Sequence, residues 1–158
     1  LCFSDPVLFL FLRDCNPAAR EADRVIMDPV RDAVAEDRPH DGARAFMEGW
    51  GQPGQFDRMP KAGQDAIAHA LTHIARDFPW ASDWPEGQMT EDDIRAIDIP
   101  VLIGHGERTH NSAKVVNAGL AGLFPDVQEV EVAGAGHLSA VDDPAQVAAQ
   151  LRAFLARV

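Results

Sequence analysis

Residues 99–107 read Ile-Pro-Val-Leu-Ile-Gly-His-Gly-Glu, and the prediction of the fold class starts from them. The centre of this stretch is a short apolar run, which is typical of a strand buried on both faces of a parallel sheet. A helical pattern follows at residues 112–124, and the alternating residues 127–132 then predict a second strand, near a sheet edge. A strand, a helix and a second strand in this order require a parallel pair with a right-handed crossover. The sequence therefore predicts an α/β fold.

Three segments can be distinguished along the chain. Residues 98–158 form the predicted core segment, which ends in a helix that begins at Asp143-Pro144. Residues 1–15 are expected to hold the end of a core strand, at residues 1–4, followed by a short helix. Residues 16–97 carry mostly helical patterns broken by Pro and Gly, and we expect them to form a cap over the sheet.

Within the cap-like region, the first helix is expected from residue 16 to residue 35, and Pro29 must bend or divide it. A short helix is predicted over residues 41–50, and a clearer one over residues 60–78, where Phe-Pro-Trp ends it. Thr90 is expected to cap a further short helix, with Asp93 at the reciprocal position.

Composition excludes several classes of function. The formal net charge of −11 disfavours a nucleic-acid partner, because phosphate contacts need clustered Lys and Arg. The chain also has no basic amphipathic stretch for a membrane surface and no apolar run long enough to span one. Cys2 and Cys15 match no metal or redox spacing, which indicates free thiols in a reducing compartment and hence a cytoplasmic protein.

Two loops leave the carboxyl ends of the predicted strands, where open α/β sheets bind their ligands. One contains His105 to His110, and the other is Gly-Ala-Gly-His, residues 134–137. Both loops combine histidine with glycine, and the first also carries a carboxylate, Glu107. Polar side chains from both loops are therefore expected to meet at one sheet edge.

The order of these motifs resembles the end of the α/β-hydrolase family. Residues 99–107, a helix, the run Val-Glu-Val-Ala-Gly-Ala-Gly-His at residues 130–137, Asp143-Pro144 and a final amphipathic helix together carry this resemblance, over about 60 residues. It implies that His137 is the catalytic histidine. A histidine in this role takes the proton of the nucleophile and later delivers it to the leaving group.

The resemblance leaves the acid open. The family often places an aspartate three residues past the glycine of the first loop, and Thr109 occupies that position here. Glu107 is one alternative. In some members the acid follows the preceding strand instead, and Asp5-Pro6 matches that place, although Asp before Pro is also an ordinary helix cap. We take Asp5 as the leading candidate.

The family's nucleophile elbow, Gly-x-Ser-x-Gly or a variant with Asp or Cys, is not found in the chain. The serines, none of which stands between suitably placed glycines, are Ser4, Ser82, Ser112 and Ser139. The predicted sheet is also larger than the strands that the sequence supplies. We therefore expect a C-terminal fragment of a hydrolase, inactive alone, whose parent acts on a small-molecule ester or related substrate.

Two other readings stay open. The chain could be a non-catalytic binding or interaction module on the same scaffold, or part of a dehalogenase or carbon–carbon bond hydrolase. No cofactor or metal is expected, since His69 and His73 lie four residues apart but lack the adjacent Glu of the zincin motif. The aromatic residues of the cap-like region that could line a pocket, or equally pack in its core, are Trp50, Phe56, Trp80 and Trp84.

Overall fold

The computed structural model describes residues 1–8, 17–82 and 90–157, and within these ranges it leaves out the side chains of residues 76–82. The described strands are β1 (Cys2–Ser4), β2 (Val101–Gly106) and β3 (Val127–Val132). The described helices are α1 (Pro17–Ala35), α2 (Pro39–Trp50), α3 (Gln55–Arg58), α4 (Lys61–Ser82), α5 (Glu91–Arg95), α6 (Asn111–Ala121), α7 (Ser139–Asp142) and α8 (Pro144–Leu155).

The described strands form a parallel sheet in the order β1-β2-β3. The central strand β2 is the most buried, with Val101 and Ile103 fully enclosed. Strand β1 is exposed along its whole length. The α/β class predicted from the sequence is confirmed, and the carboxyl ends of the strands meet at one edge of the sheet, as parallel pairing requires.

Helices α1, α2 and α4, which lie between β1 and β2 in the sequence, pack together into one helical layer. Its core contains Met27, Val30, Met47 and Leu71, and it reaches Ala113 at the start of α6. Helices α1 and α2 approach closely at Gly49, where a Cβ would lie 2.4 Å from Ile26. Through Ala113, the layer packs against α6, the helix that follows β2.

A second core lies on β2. It joins Ala19 of α1 and Ile94 of α5 to the inner side of α6, including Val116 and Leu120. The Ser112 hydroxyl donates to the Ala19 carbonyl at 2.9 Å, which links the amino ends of α1 and α6. The helical layer therefore sits over the carboxyl edge of the sheet, where the candidate site lies.

Local patterns in the sequence predicted several elements well. The strand β3 has the expected bounds, and α5 is capped by Thr90, whose hydroxyl accepts from the Asp93 N–H while the Asp93 carboxylate accepts from the Thr90 N–H. The predicted helix at residues 7–15 falls largely outside the described residues. The short helices α3 and α7 were not predicted.

Two helices run through a proline. Helix α1 was predicted to be bent or divided at Pro29, and it continues through this residue undivided, with Met27, Val30 and Ala33 buried around it. Helix α4 continues through Pro79 to Ser82 instead of ending at Phe78. A proline removes one backbone donor and crowds the preceding turn, but a packed helix can tolerate that cost.

Among the described helices, none combines the length and the apolar character needed to cross a membrane. Cys2 is a free, exposed thiol on β1, and Cys15 lies outside the described residues.

Gly106 should be the least replaceable glycine of the sheet. A Cβ at this position would lie 2.1 Å from the Gly136 carbonyl oxygen and 2.6 Å from that of Ala135, and backbone atoms cannot move aside cheaply. We expect Gly106→Ala to lower the free energy of unfolding by about 2–3 kcal/mol, measured by urea denaturation.

Gly104→Ala, on the same strand, is the matched control. Its Cβ would meet no atom closer than the Val130 side chain at 3.4 Å, so we expect a loss below about 1 kcal/mol. Equal losses for the two variants would contradict the close packing of residues 135 and 136 against β2.

Candidate functional site

His137 lies in the loop that follows β3, and this loop is held from several sides. The Gly134 backbone takes a left-handed φ of 70° and its N–H donates to the Glu107 carboxylate at 2.7 Å. The Arg108 N–H donates to the Ala135 carbonyl at 2.8 Å. The Gly136 N–H, immediately before His137, donates to the Asp142 carboxylate at 2.7 Å. The imidazole therefore stands on a fixed backbone.

Asp5 follows β1 and is almost fully buried, with 2% of its side chain exposed. Its backbone has a φ of 48°, in the left-handed region that Asp tolerates, and its N–H donates to the Gly104 carbonyl at 2.7 Å. Three donors surround the carboxylate: the Gly106 N–H at 3.4 Å, the Thr109 hydroxyl at 3.2 Å and the Asn117 amide at 3.4 Å. A buried carboxylate needs such donors.

The structure brings Asp5 and His137 together across 132 residues of sequence. The Asp5 Oδ2 lies 3.6 Å from the His137 Nδ1, at ion-pair distance. The Thr109 hydroxyl, which donates to the other Asp5 oxygen, lies 3.5 Å from the same ring nitrogen. No described residue hydrogen-bonds to the His137 Nε2, and 17% of this side chain is exposed. One ring nitrogen thus faces a carboxylate and the other is available.

Glu107, the alternative acid, is placed differently. It is exposed, and its carboxylate accepts from Gly134 rather than facing the His137 ring. Thr109 occupies the position where the resemblance expects an aspartate, and its hydroxyl instead donates to Asp5. Among the residues considered as the acid, Asp5 is therefore the one that the structure places beside His137.

Asn117 was not predicted as a site residue from the sequence. It is 1% exposed, on the buried side of α6 together with Ala113, Val116 and Leu120. A polar residue among apolar ones on a helical face was the signal that could have identified it, because a buried amide needs a hydrogen-bond partner.

Trp50 covers the His137 ring. The two rings meet edge to face, with centroids 4.7 Å apart. The centroid of the His110 ring lies 5.1 Å from that of Trp50. Burial, and then the nearby charge of His137, lowers the pKa of His110. The His110 Nδ1 accepts from the Ser112 N–H at 3.3 Å and caps α6, so in its neutral form His110 carries its proton on Nε2.

The other aromatic residues named from the sequence do not share this position. Phe56 is 1% exposed in the core of the helical layer, with the Arg44 guanidinium 5.5 Å from its ring centroid. The side chains of Trp80 and Trp84 are not among those that the structure describes.

Asp23, on α1, is a second buried carboxyl and was not predicted as a site residue. It is 3% exposed and shares the buried side of α1 with Ala19, Met27 and Val30. Burial raises the pKa of Asp23 to about 7, although the nearby Trp50 indole and the charge of Arg31 act in the opposite direction. A charged residue on the apolar face of an amphipathic helix was the signal in the sequence.

No described serine or cysteine contacts the His137 ring. The Ser4 and Ser139 hydroxyls lie 3.4 Å from each other, and Ser112 donates to Ala19. Across residues 1–8, 17–82 and 90–157, no three potential ligands cluster for a metal ion. The His69 and His73 rings contact each other, with centroids 5.3 Å apart.

Asp23 should make stability depend on pH. The folded protein holds the Asp23 proton up to a pH of about 7, whereas the unfolded chain releases it near the ordinary pKa of 3.8. Stability is therefore lost as the pH rises from about 4 to about 7. We expect Asp23→Asn to remove this loss, so that its stability relative to the unchanged protein increases by roughly 2–4 kcal/mol between pH 4.5 and pH 8.

Asp32→Asn is the control, because Asp32 lies on the same helix and is exposed. Chemical denaturation at a series of pH values measures both differences. A difference for Asp23→Asn that stays constant over this pH range would contradict the placement of its carboxyl in the core.

Comparison of this chain with known proteins identified no relative. No protein-family model, no curated protein and no solved structure matches this chain. Any proposal about function therefore depends on the motifs of the sequence and on the arrangement of Asp5, Thr109, Trp50 and His137.

Proposed function

We propose that this chain is the C-terminal part of an α/β-hydrolase that cleaves a small-molecule ester or a related substrate by nucleophile–histidine–acid chemistry. The observation that carries the proposal is the placement of the His137 Nδ1 at 3.6 Å from the buried Asp5 carboxylate. A general base needs one ring nitrogen oriented by an acid and the other directed at the reacting proton. The pair meets the first of these requirements and leaves Nε2 available for the second.

The proposed roles follow from the two ring nitrogens. The Nδ1–H of His137 donates to Asp5, which fixes the orientation of the ring and stabilises the imidazolium. Nε2 accepts the proton of the nucleophile as that group attacks the ester carbonyl, and then delivers the proton to the leaving alkoxide. In the second half of the reaction, Nε2 takes a proton from water as the water oxygen attacks the acyl carbon. The acyl–nucleophile bond then breaks and Nε2 returns the proton to the nucleophile, which releases the acid product.

The surroundings of the pair suit this chemistry. Thr109 and Asn117 hold one Asp5 oxygen, so that the other, Oδ2, faces the imidazole. Trp50 covers the His137 ring with an apolar surface and restricts water on that side. Acid and base are thus preorganised by residues that need not move during the reaction.

We place the nucleophile outside the 158 residues of this chain. Among the described residues, no serine hydroxyl or cysteine thiol hydrogen-bonds to the His137 ring, and no strand pairs with the outer edge of β1. Phe3 on this strand is 36% exposed and Leu1, just before it, is 48% exposed, whereas parallel strands are ordinarily covered on both faces. A further strand that leads to a nucleophile elbow would cover β1 and supply the missing group.

The first test requires a protein that contains this chain together with the proposed nucleophile segment. We expect His137→Gln to reduce kcat for a nitrophenyl ester by roughly 1,000-fold or more, and Asp5→Asn by roughly 100- to 10,000-fold, because each removes part of the proton path. Glu107→Gln is the matched control and should retain most of the activity, since its carboxylate faces Gly134.

Several outcomes would overturn the proposal. Undiminished activity in Asp5→Asn would exclude Asp5 as the acid. His137-dependent turnover by residues 1–158 alone would show that the nucleophile lies within this chain. A folded longer protein that hydrolyses no ester, amide or halide, yet binds a small molecule, would favour the non-catalytic binding module.

A further inference from the structure

One indole ring contacts two imidazole rings at the candidate site. The centroid of the Trp50 ring lies 4.7 Å from that of His137 and 5.1 Å from that of His110. Trp50 is 4% exposed and belongs to the core of the helical layer, so its ring is held in place. His110 also directly follows Thr109, whose hydroxyl lies 3.5 Å from the His137 Nδ1. The two imidazoles therefore lie against one apolar surface at the carboxyl edge of the sheet.

The hydrogen bonds of His110 determine which of its ring nitrogens can donate. Its Nδ1 accepts from the Ser112 N–H at 3.3 Å and caps α6, so the neutral ring carries its proton on Nε2. Burial, and then the charge of His137, lowers the pKa of His110, which keeps the ring neutral at neutral pH. No described residue hydrogen-bonds to the His110 Nε2, and the residue is partly exposed. His110 thus presents an uncharged N–H donor that the proposed proton path does not use.

The glycine loop after β3 does not offer an anion the donors that it would need. The Gly134 N–H donates to the Glu107 carboxylate at 2.7 Å, and the Gly136 N–H donates to the Asp142 carboxylate at 2.7 Å. Both N–H groups are thus taken by carboxylates of the chain, whose charges repel a further anion. Arg108 offsets part of this charge, since its guanidinium donates to the Gly134 carbonyl, but the formal net charge of the chain is −11. The electrostatic surroundings of the site therefore favour an uncharged ligand.

We propose that His110 is a specificity-determining residue, whose Nε2–H donates to an uncharged oxygen of the substrate while the His137 Nε2 transfers the proton. The site then takes a neutral ester in preference to one that carries a carboxylate. A neutral donor and a neutral acceptor pair without desolvating a charge, and the apolar Trp50 surface beside them suits the same kind of ligand. That the ligand is an ester rests on the proposed function, whereas the donor role of His110 toward a neutral oxygen does not.

Titration of the folded chain with methyl butyrate, followed by NMR spectroscopy, tests the proposal. We expect saturable shifts of the His110 Nε2–H and of the His137 ring protons, because both rings border the bound ester. Sodium butyrate has the same hydrocarbon chain and a negative charge, and it should bind at least about 10-fold more weakly.

His110→Asn is the informative variant, because asparagine keeps a capping side chain at the start of α6 and removes the Nε2–H. We expect the dissociation constant for methyl butyrate, measured from the His137 signals, to rise roughly 3- to 10-fold. His73→Asn is the matched control, since His73 is exposed on α4 and its ring contacts that of His69. It should leave the dissociation constants of both probes unchanged.

Three results would overturn the proposal. The first is an equal dissociation constant for methyl butyrate in the unchanged chain and in His110→Asn. The second is tighter binding of butyrate than of its methyl ester. The third is the absence of saturable shifts at both rings.

These measurements need no turnover, so their failure and the failure of the proposed hydrolase function are distinguishable. In a protein that also contains the nucleophile segment, His110→Asn should raise KM for a neutral nitrophenyl ester by a similar factor and reduce kcat far less than His137→Gln does. An unchanged KM in His110→Asn, together with the loss of activity in His137→Gln, would support the hydrolase function and exclude His110 as a substrate contact.

Discussion

The buried carboxylate of Asp5 is the constraint on which the rest of the site depends. A carboxylate in the protein interior must be surrounded by donors, and the fold supplies them from β2, from the loop after it and from α6. Each donor is thereby fixed relative to the end of β1. The same carboxylate faces the His137 ring, so one group ties the carboxyl ends of all described strands into a single arrangement.

The close approach at Gly106 has the same origin. The loop before His137 can reach Asp5 only if its backbone packs directly on the end of β2, where no side chain fits. The helical layer completes the arrangement, because Trp50 at the end of α2 covers the imidazole. Groups from the sheet thus orient His137, and groups from the helical layer shield it.

Local features of the sequence were sufficient for much of the fold. The apolar run of β2, the alternation of β3 and the Thr90 cap depend on neighbouring residues, and the structure contains them as predicted. The continuation of α4 through Pro79 to Ser82 was not predicted, because the local rule ends a helix before a proline. Propensity cannot weigh a proline against tertiary contacts that are not yet known.

The site was predictable only in part, for a similar reason. A position after a strand marked His137 and Asp5 as candidates, but their separation depends on which strands are neighbours and in what register. The supporting roles of Thr109 and Asn117 arise from that register. The contact of Trp50 with His137 likewise depends on the packing of separate elements, which a sequence pattern does not specify.

We propose that Asp5 orients His137 through Nδ1, and the tautomer of the neutral imidazole is the most direct test of this orientation. Nitrogen-15 NMR of the labelled protein in alkaline solution, where imidazole side chains are neutral, distinguishes the two ring nitrogens. We expect Nδ1 to carry the proton and Nε2 to carry none, and Asp5→Asn to weaken or reverse this preference. A proton on Nε2 in the unchanged protein, with no effect of Asp5→Asn, would contradict it.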